Sequence, residues 1–265
     1  MHPILNTAVK AARRAGNIIM RHSDQLDRLA IEAKGRNDFV SQVDRLAEAE
    51  IIRVVHGAYP DHAILAEESG RQQGNEYLWV IDPLDGTTNY LHGYPQFAVS
   101  IALEHRGQPQ QAVVLDPVRN ELYTASRGSG AQRNERRIRV SQTRSLKFSL
   151  LGTGFPFRIE EHMETWINTF RALLKSSSGV RRAGSAALDL AHVACGRLDG
   201  FWEFGLGHWD LSAGSLLIEE AGGLISDMSG GQDFLQTGNV VAGNAEIHGQ
   251  MLPLIQPHLP APLQR

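Results

Sequence analysis

Apolar residues recur at helical spacing at the start of the chain, then give way to short apolar runs that end in acids. Residues 3–22 set Ile4, Leu5, Ala8, Ala12, Ala15 and Ile19 on one face, with Pro3 in the first turn, and predict an amphipathic helix. Residues 34–38 read as a loop. Ser41 and Asp44 have the spacing of a capping box and open a second helix reaching about residue 56. Two runs of strand length follow, 63–66 and 78–81; the first stops at Glu67-Glu68 and the second at Asp82. Beyond residue 89 the pattern is that of an antiparallel meander through 97–105, 111–115 and 121–126, followed by a hairpin around Gly128, Gly130 and 133–137. The second half alternates, with strands at 148–152, 199–204, 224–226 and 239–242. Its helices fall at 160–174, 185–195 and 211–221, before a last helix and a Pro-rich tail. Ser185 and Asp210 sit at cap positions, and Gly222-Gly223 closes the third of these helices. With no repeat and no linker, the expectation is a mixed α/β chain forming one domain over 1–265, built as two halves, about 1–145 and 146–265.

Composition narrows the function classes. The 265 residues are 42% apolar and 21% charged, ordinary for a globular protein. A net charge of −3 gives no general attraction to nucleic acid or to anionic membranes. The basic 133–139 hairpin has no interleaved aromatics and reads as a solvated turn rather than an RNA-binding surface. No direct, specific nucleic-acid binding is expected. One cysteine, Cys195, lies in an apolar run; this excludes an internal disulfide framework and fits a buried thiol in a reducing compartment. No stretch has the pattern of a signal peptide or the length of a membrane span, so the expected location is cytoplasmic, without membrane association.

The candidate chemistry lies in residues 78–89, LWVIDPLDGTTN. Pro83 and Gly86 predict a sharp turn that carries Asp82 and Asp85. Two neighbouring carboxylates repel and are costly to bury unless a cation neutralises them. Oxygen ligands of that kind suit magnesium, and the amides and hydroxyls of Gly86, Thr87 and Thr88 suit a phosphate beside it. A capped surface turn is the competing reading, and Asp44 and Asp210 have capping explanations of their own. Acids ending two successive strands nonetheless point to one shared site at a sheet edge.

Those stretches carry a resemblance. Glu67-Glu68-Ser69, the run from Trp79 to Asn89, and Trp209-Asp210 with Glu219-Ala221-Gly222-Gly223 resemble the signatures of the inositol monophosphatase family. Gly184-Ser185-Ala186-Ala187 and Asp227-Met228-Ser229-Gly230-Gly231 fit the same pattern. The chain is most similar to the family's bacterial SuhB type, through Thr153-Gly154-Phe155-Pro156-Phe157 and Arg181-Arg182. The resemblance implies a five-layered αβαβα sandwich, a homodimer, and a lithium-sensitive phosphomonoesterase that hydrolyses myo-inositol 1-phosphate with two or three Mg2+ ions.

It also implies roles. Glu67, Asp82 and the Leu84 carbonyl would hold one metal, and Asp82, Asp85 and Asp210 another. Thr87, with Asp44 behind it, would orient the attacking water, and Glu67 would also serve catalysis. Gly86 and Thr87 would bind phosphate, with Gly184, Ser185, Ala186 and Glu203 facing the substrate and Lys34 adding positive charge. No DxD arrangement for an aspartyl-phosphate is present, so direct attack by water is expected. Two alternatives stay open: another small phosphate as substrate (histidinol phosphate, fructose bisphosphate or a nucleotide 3′-phosphate), or a factor in transcription and ribosomal RNA synthesis acting through protein partners. Arg182 and the basic hairpin carry charge a metal site does not need, and could serve a dimer or partner contact.

Overall fold

The computed structural model describes residues 2–28, 31–35, 38–156 and 162–263. In chain order the first half is α1 (Pro3–His22), β1 (Ile31–Gly35), β2 (Asp38–Ser41), α2 (Gln42–Ala58), β3 (Ala63–Ala66), β4 (Gly70–Gln72) and β5 (Tyr77–Asp85). It continues through α3 (Thr87–Leu91), β6 (Ala98–His105), β7 (Gln108–Asp116), β8 (Glu121–Ser126), β9 (Gly130–Arg133) and β10 (Arg136–Arg137). The second half is β11 (Leu150–Thr153), α4 (Met163–Ser176), β12 (Gly179–Arg181), α5 (Ala186–Ala194), β13 (Gly200–Glu203), α6 (His208–Glu220), β14 (Leu224–Ser226), α7 (Phe234–Thr237), β15 (Val240–Gly243) and α8 (Ala245–Ile255).

Two mixed sheets organise these elements, in orders β10-β9-β8-β7-β6-β5-β3-β4 and β12-β11-β13-β15-β14. Side chains alternate across each strand, so both sheets are buried on both faces. From the first sheet, Trp79, Ile81, Val99, Ile101, Val113 and Leu115 pack against α1 and α2. The intervening Val80, Ala98, Ala102, Ala112 and Val114 pack against α5 and α6. Phe201, Val240 and Ala242 of the second sheet meet the same two helices, while Trp202 and Val241 face α4 and α8. The layers therefore run helix, sheet, helix, sheet, helix, the five-layered αβαβα sandwich.

Two local expectations are corrected, and a third is met by a helix close to its expected place. Of residues 34–38, expected as a loop, residues 34, 35 and 38 belong to the antiparallel strands β1 and β2, and residues 36–37 lie outside the described residues. The strand expected from residue 148 starts at Leu150, because Leu146–Phe148 form a single 3-10 turn. The expected helix over 160–174 is α4, Met163–Ser176; residues 157–161 lie outside the described residues.

The third correction builds the site. Asp82 does not end its strand: β5 continues to Asp85, with Asp82 opposite Ser100 and Asp85 opposite Ala98. Three steps on β5 thus face two on β6, which is a bulge. Residues three apart on a regular strand point to opposite faces. The extra residue returns Asp82 and Asp85 to one side.

Candidate active site

β3 and β5 are parallel neighbours, with Ala66 beside Ile81, so the acids that follow both strands emerge at one sheet edge. The Glu67 amide donates to the Ile81 carbonyl at 3.1 Å, fixing Glu67 next to Asp82. Asp210 arrives from the first turn of α6, at the other side of the sheet. Ligand oxygens of Asp82, Asp85 and Asp210 lie within 4.8 Å of one another. Asp82 and Asp210 are buried, and all three line a cleft of about 310 Å³ together with Glu67 and Leu84.

Burial is the largest cost these acids bear. It raises the Asp82 carboxyl well above the carboxylate range, and the charges of Glu67, Asp85 and Asp210 add to the rise. Burial and then the Asp210 charge push Asp85 up to about 7, against hydrogen bonds from Ser185 Oγ at 2.5 Å and the Ala187 amide at 2.8 Å. The donor set is all oxygen, negative and largely buried. It fits a hard divalent cation, which would cancel the repulsion that burial amplifies.

Both capping readings hold beside this one. Asp210 accepts from the Gly207 amide at 2.7 Å, capping α6, while remaining in the carboxylate cluster. Asp44 Oδ2 accepts from the Ser41 amide and hydroxyl at 2.9 and 2.5 Å, capping α2. Its Oδ1 is 3.0 Å from Thr87 Oγ1, which lies equally close to the Leu84 carbonyl. A hydroxyl has one proton, so Thr87 donates to one of these and keeps lone pairs for a donor in the cleft. Gly86 has φ of 94°, and a Cβ there would sit 2.9 Å from the Gln96 carbonyl, so only glycine makes this step into α3.

Opposite the acids, the cleft is walled by the second half. Gly184, Ser185 and Ala186 line it at the start of α5, and Glu203 at the end of β13. Asn89 ties the halves together, its Nδ2 within 2.7–3.2 Å of the Gln96, Ala183 and Gly184 carbonyls. Gly154 is required by Glu203, because a Cβ would fall 1.9 Å from its Oε1. The Lys34 side chain lies outside the described residues.

Two contributors, Glu48 and Asp189, escaped the sequence reading, and a third, Arg182, was read there for a dimer or partner contact and lies in the cleft lining instead. Glu48 accepts the Glu68 and Ser69 amides at 2.8 and 2.9 Å and so clamps the turn that carries Glu67. Its signal was an acid one turn after Asp44 on an apolar face that includes Ala47 and Ile51. Asp189, one turn after Ser185 on α5, is buried in the cleft wall. Arg182 also lines the cleft, its guanidinium 4.4 Å above the Phe155 ring. Much of the basic hairpin is used internally: Arg133 lies 3.7 Å from Glu121, and Arg139 donates to the Ile138 and Glu220 carbonyls.

A model of the inositol monophosphatase family matches residues 1–259. The chain belongs to the inositol monophosphatase family. It is thereby a member of a phosphatase family, and its similarity runs over whole proteins. The "Nus factor SuhB" of Pseudomonas aeruginosa is 53% identical, with all of both chains covered. The crystal structure of extragenic suppressor protein suhB from Bartonella henselae superposes with a TM-score of 0.94 at 43% identity, over 96% of this chain and 99% of that one. The inositol monophosphatase from Anabaena (Nostoc) sp. PCC 7120 gives 0.83 at 41%, over 97% of each. These likenesses and the layer order agree on the αβαβα fold.

Proposed function

We propose that this family member is a magnesium-dependent phosphomonoesterase that hydrolyses myo-inositol 1-phosphate and related small polyol phosphates. The observation that carries the reading is the convergence of Asp82, Asp85 and Asp210 within 4.8 Å at the base of the cleft. Glu67 and the Leu84 carbonyl complete the ligand set. Magnesium, when bound there, supplies the positive charge that offsets the phosphoryl oxygens and acidifies a water. The chain's own groups do the rest. The Gly86 and Thr87 amides hold the phosphate. Thr87 Oγ1, donating to Asp44, accepts a hydrogen bond from the attacking water and aims it at phosphorus, so no aspartyl-phosphate forms. Glu67 takes up the water's proton directly or through a second water, while the ester P–O bond breaks and the departing inositol oxygen takes a proton from water in the cleft. Gly184, Ser185 and Ala186 shape the substrate wall, and Glu203 accepts from the substrate's hydroxyls. Lithium inhibits by competing for the acids.

Phosphate release from a panel of esters tests this reading. With magnesium, myo-inositol 1-phosphate is expected to exceed histidinol phosphate, fructose 1,6-bisphosphate and a nucleotide 3′-phosphate in kcat/KM. A different leader would reassign the substrate, and no release from any of them would remove the enzymatic reading.

The 53% identity to a protein called a Nus factor favours a second role, binding to the transcription machinery through protein partners in the cytoplasm. The chain would act there as a homodimer. Asp85→Asn expressed in a strain lacking the gene separates the roles. Partial rescue by the folded, inactive variant is expected, and no rescue would leave catalysis as the whole task.

A further inference from the structure

The cleft contains two buried acids, of which only Glu203 has a role above. Asp44, Asp82, Asp85 and Asp210 each accept a hydrogen bond from a protein donor. Asp189 and Glu203 accept none from any described residue, though they are only 2% and 7% exposed. Both face the cleft. A buried carboxylate without donors is costly. Space is nonetheless kept for Glu203, whose carboxylate Gly154 abuts.

The surroundings indicate what enters. Burial raises both carboxyls well above their ordinary range, and the Arg182 charge offsets part of that rise for each. Arg182 itself rests over Phe155 and is hydrogen-bonded to neither acid. An ionised carboxylate only accepts and a protonated one keeps an accepting oxygen, so in either form each acid has room for a donor. A second phosphate would be repelled by the acids, and Arg182 already supplies a cation that offsets part of their charge. Neutral hydroxyls satisfy both constraints, and adjacent hydroxyls on a ring match two acids lining one wall.

We propose that Asp189 is a substrate-binding residue that, paired with Glu203, forms a subsite reading neighbouring hydroxyls of a polyol phosphate. This rests on the phosphatase reading for its substrate class, while the contact itself is independent of turnover.

Asp189→Asn tests it, because it keeps the shape and removes the charge that accepts two donors. The measurements are kcat/KM for myo-inositol 1-phosphate and for p-nitrophenyl phosphate, and binding of free myo-inositol by saturation-transfer NMR. The inositol phosphate value is expected to fall about 10–100-fold, as for loss of a hydrogen bond to a charged group. The aryl phosphate value should stay within about twofold, and free myo-inositol should bind the variant more weakly. Equal losses on both esters, or no loss on either, would overturn the subsite. If wild type hydrolyses no ester, the phosphatase reading fails, and the difference in myo-inositol binding alone decides: equal binding to both proteins overturns the proposal. Should Asp189→Asn not fold, Asp189→Ser takes its place under the same criteria.

Discussion

Asp85 accepts from the Ser185 hydroxyl and the Ala187 amide at the start of α5, yet burial and the Asp210 charge still work against its ionised form. Asp85→Asn keeps an acceptor for those donors and removes the charge. Turnover is expected to fall about a thousandfold or more, as when charge stabilisation at a metal site is lost. The melting temperature in chelator should hold or rise, since repulsion is relieved; an early-melting variant would make this turn a structural cap. Glu48 acts at one remove. Glu48→Gln removes one acceptor from the pair that clamps Glu68 and Ser69, and should weaken magnesium binding about 10-fold with little change in melting temperature. An unchanged magnesium titration would count against the clamp. At this scale the sequence was informative but ambiguous. Asp44 and Asp210 look like caps because they are caps, and only coordinates reveal a second partner for the same side chain. Asp189 gave no signal beyond a single acid in an apolar helix.

Among elements, periodicity located those long enough to show a period. The amphipathic α1 and the alternating β6, β7 and β8 fall close to their expected bounds. The strands β4 and β12 have three residues each, too few for any alternation to register. The β5 bulge was hidden for a related reason: Pro83 and Gly86 are turn residues, and whether the ladder resumes past Asp82 depends on the partner β6. Helices α5 and α6 could be read individually, but their closeness could not. A Cβ on Gly214 would fall 2.5 Å from Leu190 Cδ1 and 2.6 Å from Leu190 Cβ. Gly214→Ala should therefore cost about 1–3 kcal/mol by overpacking, despite the better helix propensity of alanine. Denaturant unfolding checks this, and a variant as stable as wild type would contradict the tight α5–α6 contact.

At the scale of the molecule, sequence pattern gave two differently built halves, while the layer order came only through resemblance, since pairing of distant strands leaves no local trace. One cross-link between layers is testable by pH. Arg197, just beyond α5, reaches Glu121 on β8 with contacts of 2.5 and 2.6 Å. The pair holds Glu121 down at about 2 against an ordinary 4.5. A depressed carboxyl contributes stability above its unfolded pKa and loses it as pH falls through the folded one. Glu121→Gln should thus be less stable than wild type by about 1 kcal/mol at pH 7, after discounting for the partly exposed Arg197, with the gap closing between about pH 4.5 and 2. A gap independent of pH would mean packing, not charge, joins these layers. The account as a whole turns on whether the buried acids hold a metal that the chemistry needs. The most direct measurement is phosphate release from myo-inositol 1-phosphate before chelation, after exhaustive chelation, and after magnesium is restored. Activity that disappears with chelation and returns with magnesium is the predicted result; full activity in the chelated protein would contradict it.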